Sequence, residues 1–206
     1  ILETYVDIFN ANVRIMMDQL EKEVGKEKFD IAPYVDKCTL DVICETAMAT
    51  SIDAQLNEES QFTKSLKVVS NAVLMRTFKP WLFPELTFNL SSIGRDFSKN
   101  LEYINSFVDK VVAQKKKTLA ESSNNKSLQP THDTTKDDVF YGTKQRYVFL
   151  DLLLMYATDP TVQLSDEDIR DEVNTFMFAG HDTTSSTIGF AIHMLGSHPD
   201  VQTRAR

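Results

Sequence analysis

Phe176, Met177, Phe178, Ala179, Gly180, His181, Asp182, Thr183 and Thr184 place two small residues, an acid and two hydroxyls side by side near the C-terminal end of a 206-residue chain. Thr and Asp are poor helix formers and Gly costs about 1 kcal/mol relative to Ala within a helix, so propensity does not account for this run. On a helix, Phe176, Ala179, Gly180, Thr183 and Thr187 share one stripe, because residues three and four apart are neighbours. Ala179 and Gly180 remove bulk where a flat ligand would approach, and the Thr183 hydroxyl lies one turn away. Mid-helix Thr hydroxyls bond the preceding-turn carbonyl and can bend a helix, which beside a Gly can open a groove for a water or small ligand. Asp182, turned about 100 degrees from its neighbour, could feed protons to that groove from the solvent side.

The element carrying the run is legible from its ends. Ser165 can cap free backbone donors, Asp166, Glu167 and Asp168 suit the positive end of the helix dipole, and Leu164 and Ile169 have staple spacing. Gly196, Ser197, His198 and Pro199 form the next strong stop. One helix of about 32 residues and about 48 Å is expected, with the run at its centre.

Helical spacing recurs upstream. Leu2 to about Glu23 has Val6, Phe9, Val13, Met16, Met17 and Leu20 on one side, and Gly25 ends it. Further helices are expected over Tyr34–Met48, Glu58–Arg76 and Ser92–Leu119, and a helix apolar almost all round, hence buried, over Arg146–Tyr156. Asp159 and Pro160 turn the chain. Pro80, Trp81, Leu82, Phe83 and Pro84 make a rigid aromatic turn, either a plug over the core or a surface facing a membrane or substrate entry. Lys115, Lys116 and Lys117 are expected to end their helix, where cations complement its negative end. Residues 121–144 are polar and are expected to form a disordered surface loop, so His132 and Asp133 within it read as a solvated pair. No alternation of Val and Ile is long enough to force a strand.

Composition bounds the function. With 42% hydrophobic and 25% charged residues the chain can bury a real core, and six Gly and six Pro favour long helices over turns. A formal charge of -8 without a clustered basic face argues against a nucleic-acid partner. Cys38 and Cys44 make no disulfide framework and read as buried small hydrophobes. No run of 18 apolar residues is present, so nothing spans a membrane, and Ile1 opens an amphipathic helix without signal-peptide features. Two other classes fit the central run. His181 and Asp182 form the kind of helical dyad that binds metal in phosphohydrolases, although His193 and His198 lie on the same helix or its end and cannot converge with it on one ion. A non-enzymatic helical binding or scaffold module, with Gly180 allowing close helix packing, is the other.

The run Ala179 to Thr184 resembles the oxygen-binding helix of the cytochromes P-450, the haem-thiolate monooxygenases: a small residue, Gly, any residue, an acid, Thr, then Thr or Ser. Phe149–Leu154, Leu164–Arg170, Phe29–Ile31, Asp41–Met48, Pro80–Leu82 and Phe88–Gly94 resemble the eukaryotic family-4 branch, its insect members in particular. The resemblance implies an all-α fold, the helical portion of a P-450 domain over residues 1–206. It implies haem b as cofactor, dioxygen and a lipophilic small-molecule substrate (fatty acid, hydrocarbon, hormone or xenobiotic), and electrons from NADPH through a cytochrome reductase. It also implies association with the cytosolic face of the endoplasmic reticulum membrane. Thr183 would hold the oxygen ligand or a water beside it and Asp182 would relay protons. Ala179 and Gly180 would leave space over the porphyrin, Phe176 would shape the distal pocket, and Thr184 would complete the haem contact.

Two departures qualify this. Most family-4 members carry, immediately before the Gly, a Glu that can form an ester with a haem methyl; Ala179 stands there, so non-covalent haem is expected. By the resemblance, the family's Glu-x-x-Arg helix and axial Cys would lie beyond Arg206 and its membrane anchor before Ile1. The polypeptide is expected to be an internal portion of an enzyme, inactive on its own.

Overall fold

The computed structural model describes residues 5–57, 60–126, 148–158, 161 and 164–206. Among these every regular element is helical: α1 (Val6–Glu21), α2 (Ala32–Met48), α3 (Gln61–Phe78), a 3-10 turn (Pro80–Leu82), α4 (Glu85–Leu90), α5 (Ser92–Lys126), α6 (Phe149–Ala157), α7 (Asp166–Ser197) and α8 (Pro199–Ala205).

The core lies where α2, α3, α5, α6 and α7 converge. Leu40, Cys44 and Met48 of α2 meet Phe62 and Leu66 of α3, Ile104, Val108 and Val112 of α5, Leu150 and Leu154 of α6, and Ile169, Val173 and Met177 of α7. Each α5 and α7 set is spaced by four, the stripe an amphipathic helix presents to one neighbour layer. The cysteines are free and buried, and burial pushes the Cys38 thiol up to about 11 and the Cys44 thiol further in the same direction. Both therefore act as small apolar residues.

The apolar side of α1 is largely open, with Val6, Val13 and Met17 exposed, while the polar Asn12 is buried. Asn12 Oδ1 accepts from Gln55 Nε2 at 3.1 Å, and its amide donates to Glu45 Oε1 at 3.2 Å. Beside it, buried Asp41 accepts the backbone N–H groups of Ala54 (2.7 Å) and Gln55 (3.0 Å), satisfying a turn that no helix serves. Burial raises the Asp41 carboxyl from its ordinary value, and the two N–H donors pull it partly back. Helix α6 is buried on one side only; Leu152 and Tyr156 are exposed.

The three lysines do not end α5, which runs on through Lys126. Their partners are specific: Lys115 Nζ lies 3.1 Å from buried Asp151, Lys116 pairs with Asp166 at 2.5 Å, and Lys117 reaches Glu121 at 4.0 Å. Residues 121–126 of the expected loop are thus helical, and 127–144 lie outside the described residues. Helices α4 and α8, too short to show a periodic stripe, go beyond the expected elements. At the α4–α5 corner a Cβ on Gly94 would overlap the Phe88 carbonyl, so only glycine fits there.

Helix α7 starts and stops where its sequence signals lie. Ser165 Oγ accepts from Asp168 N at 3.1 Å and Asp168 Oδ2 accepts from Ser165 N at 2.8 Å, a reciprocal cap. Ser165→Ala is expected to lower unfolding free energy by about 1 kcal/mol in urea titrations. Hydrogen bonds from Ser165 hold the Asp168 carboxyl below the usual carboxylate range. Its contribution is therefore present above the ordinary carboxylate pKa and fades as pH falls through the depressed one. Asp168→Asn should remove that acid-side loss, and an unchanged acid limb would contradict the assignment.

Candidate active-site helix

Helix α7 presents two sides. Ile169, Val173, Met177 and His181 are buried, each one turn beyond the last. The stripe drifts about 40 degrees per four-residue step, because four residues advance 400 degrees. On the other side Phe176 (43% exposed), Ala179, Thr183, Thr187 and Phe190 (72% exposed) form an open face that is apolar except for the hydroxyls. The Phe176 ring stacks on Phe149 of α6, with centroids 4.2 Å apart and planes 10° from parallel, which fixes one end of this face.

The helix is unbroken through the run. Thr183 Oγ1 donates to the Ala179 carbonyl at 2.8 Å and Thr187 Oγ1 to the Thr183 carbonyl at 2.8 Å. Each hydroxyl proton is thus held by the helix, leaving oxygen lone pairs free to accept from the open side. Thr184 is exposed, one position round from Thr183. Asp182 is exposed as well, but on the water side: it borders a cleft of about 500 Å³ shared with Asp36, Lys67, Phe178 and His181. Acid and alcohol therefore sit on adjacent residues, about 100 degrees apart round the helix.

Gly180 lies apart from the other small residue. An added Cβ would sit 3.0 Å from Ile43 Cδ1 and 3.1 Å from Cγ1, so the missing side chain makes room for α2, and Ala179 alone provides small bulk on the open face. His181 belongs to the same seam. Its Nδ1 lies 3.3 Å from the Met177 carbonyl, its Nε2 lies 3.7 Å from Asp36 Oδ1, and its own carbonyl accepts from Thr39 Oγ1 at 3.3 Å. Ser185 Oγ also reaches Asp36 Oδ1, at 3.3 Å. His181 thus meets a carboxylate on a neighbouring helix. Sequence reasoning missed Asp36, Thr39, Ile43, Ser185 and Phe149 as partners of the run; an acid or alcohol on a helix carries no mark of the neighbour it meets.

The family model described as Cytochrome P-450 matches residues 1–206. The chain belongs to the cytochrome P-450 family. It is 41% identical to cytochrome P-450 4c3 of Drosophila melanogaster over 99% of this chain and 38% of that protein. It is 38% identical to cytochrome P-450 4c21 of Blattella germanica over 100% and 39%, and 36% identical to human cytochrome P-450 4V2 over 98% and 37%. The chain therefore spans somewhat over a third of the length of these family-4 relatives. The crystal structure of the cytochrome P-450DA heme domain superposes with a TM-score of 0.64 at 22% identity, covering 96% of this chain and 36% of that one. At that identity the likeness establishes the fold, which is the all-α helical portion of a P-450 domain.

Proposed function

We propose that this chain supplies the oxygen-side helix of a haem-dependent monooxygenase that hydroxylates lipophilic substrates. The observation that carries the reading is the division of α7: an open strip of Phe176, Ala179 and Thr183 against a packed stripe, with Asp182 at a solvent cleft on the other side. The strip fits a flat apolar group, since Ala179 is small, Phe176 is braced by Phe149, and the Thr183 hydroxyl is the polar atom between them. Phe176, Ala179, Thr183 and Thr184 would hold haem non-covalently, Ala179 having no oxygen with which to form an ester; Gly180 would contribute through α2. When bound, haem supplies dioxygen activation. Thr183 positions a proton donor on the open face, and Asp182 exchanges protons with water in the cleft. NADPH would supply electrons through a cytochrome reductase.

The aromatic turn supports a membrane-facing role at the cytosolic side of the endoplasmic reticulum. Leu82 is buried and serves as a plug, whereas Trp81 (66% exposed), Phe83, Leu86 and Leu90 face outward. Arg76 holds the turn rigid, donating to the Leu82 carbonyl at 3.0 Å and the Phe83 carbonyl at 2.8 Å over the Phe88 ring. Among the described residues no helix is long and apolar enough to cross a membrane.

The test is a full-length enzyme carrying this chain, supplied with reductase, NADPH and a medium-chain fatty acid. A carbon monoxide difference spectrum of the haem-thiolate type and an oxygenated product are expected; failure to take up haem would refute the reading. In the same protein Trp81→Ser with Phe83→Ser should reduce flotation with phosphatidylcholine vesicles, and unchanged flotation would remove the membrane role.

A further inference from the structure

The seam between α2 and α7 is the most extensive helix contact among the described residues, and it is fixed on both sides of Asp182 and Thr183. On one side the notch at Gly180 receives Ile43, whose Cδ1 would stand 3.0 Å from an added Cβ, closer than the ordinary carbon contact of about 3.5–4.0 Å. On the other side the Ser185 hydroxyl lies 3.1 Å from the Asp182 carbonyl and 3.3 Å from Asp36 Oδ1; next to Gly180, His181 Nε2 stands 3.7 Å from that same carboxylate oxygen, and the Thr39 hydroxyl lies between the Asp36 carbonyl (3.1 Å) and the His181 carbonyl (3.3 Å). Along α2, Asp36, Thr39 and Ile43 meet Ser185, His181 and Gly180 in turn, so rising numbers on one helix meet falling numbers on the other. A steric key at Gly180 and a polar contact at Ser185 thus flank the two residues.

We propose that α2, through Ile43 and Asp36, sets the rotation of α7 at Asp182 and Thr183, and that position 180 is glycine for the sake of Ile43. Ile43 and Asp36 are then positioning residues for the proton delivery proposed above, on which this inference rests. Glycine inside a helix is unfavourable relative to alanine, and the open face gives no reason for it, because the direction its Cβ would take is filled by Ile43. An alanine there requires Ile43, partly buried and packed against the core, to give by a few tenths of an ångström, or α7 to roll by a comparable amount. A roll would shift the Thr183 hydroxyl on the open face and the Asp182 carboxylate at its cleft together.

The experiment uses the full-length, haem-loaded enzyme carrying this chain as wild type, Gly180→Ala, Ile43→Ala and the double variant. Three quantities are read: haem loading by carbon monoxide spectrum, product formed per NADPH consumed, and unfolding midpoint. Gly180→Ala should lose coupling by at least about twofold with loading unchanged, as expected for residues in contact. The double variant, lacking both Ile43 atoms that crowd the new methyl, should return to the level of Ile43→Ala. Midpoints should be non-additive in the same sense: alanine at 180 raises the midpoint in the Ile43→Ala background, where helix propensity alone operates, and fails to do so against Ile43. Asp36→Ala should uncouple without loss of haem, and Asp36→Glu should restore part of the coupling. Unchanged coupling in Gly180→Ala, or a loss that persists in the double variant with additive midpoints, would overturn the proposal. Failure of all four proteins to load haem would count against the proposed function, and the midpoints would then decide the seam by the same criterion.

Discussion

Thr183→Ala in the full-length enzyme is expected to cut product formed per NADPH by about tenfold, less than the roughly 10²–10⁴-fold of a group that itself transfers the proton, while NADPH consumption stays within about twofold and hydrogen peroxide accounts for the difference. The expectation rests on where the hydroxyl sits. Thr183 is exposed on the open face of α7, and its proton is already given to the Ala179 carbonyl, so the oxygen is turned outward as an acceptor for a water or a ligand. Alanine removes that acceptor and leaves the helix ladder intact. It also has higher helix propensity than threonine, by up to about 0.7 kcal/mol, so the fold should not be lost and any fall in coupling belongs to the site. Thr183→Ser keeps the hydroxyl and should restore most of the coupling, whereas Thr183→Val keeps the shape and should not. Equal coupling in Thr183→Ala and wild type would remove Thr183 from proton delivery.

The extent to which α7 was legible in the sequence follows from what each signal measures. Its ends were readable because Ser165, the three acids after it and Gly196 to Pro199 act on local backbone groups, and the structure places the helix at Asp166–Ser197. Its faces were only half readable. A stripe defined by spacings of three and four covers roughly 100 degrees of the helix, and Gly180 falls at its edge, where a side chain belongs either to the open face or to the seam. Only the position of Ile43 decides between them. The same blindness to partners explains α5. Hydrophobic pattern ends near Leu119, so the element was expected to end there, but a helix satisfies its own backbone without an apolar stripe, and Lys117 with Glu121 supports the extension. Likewise Asp41 and Asn12 are buried because they serve groups on other segments, Ala54, Gln55 and Glu45. Nothing in their own stretches distinguishes them from surface residues.

Ala179→Glu in the full-length enzyme is expected to convert haem that extracts freely into acidic organic solvent into haem that stays with the polypeptide. Position 179 is the one at which most family-4 members, by the resemblance drawn from the sequence, carry the ester-forming Glu. Here Ala179 is exposed and flanked on its stripe by Phe176 and Thr183, so a longer side chain extends from the open face without meeting the packed stripe of Val173, Met177 and His181. The change leaves the Ala179 carbonyl in place as acceptor for Thr183, and Glu is nearly as good a helix former as Ala, within about 0.5 kcal/mol. Neither the helix nor the Thr183 hydrogen bond should therefore be disturbed. Ala179→Gln is close in size and cannot form the ester, so its haem should extract as freely as in wild type. Retention in the Glu variant alone would place position 179 against the porphyrin edge; complete extraction from both would mean that the open face meets haem in another register, with Thr183 displaced along with it.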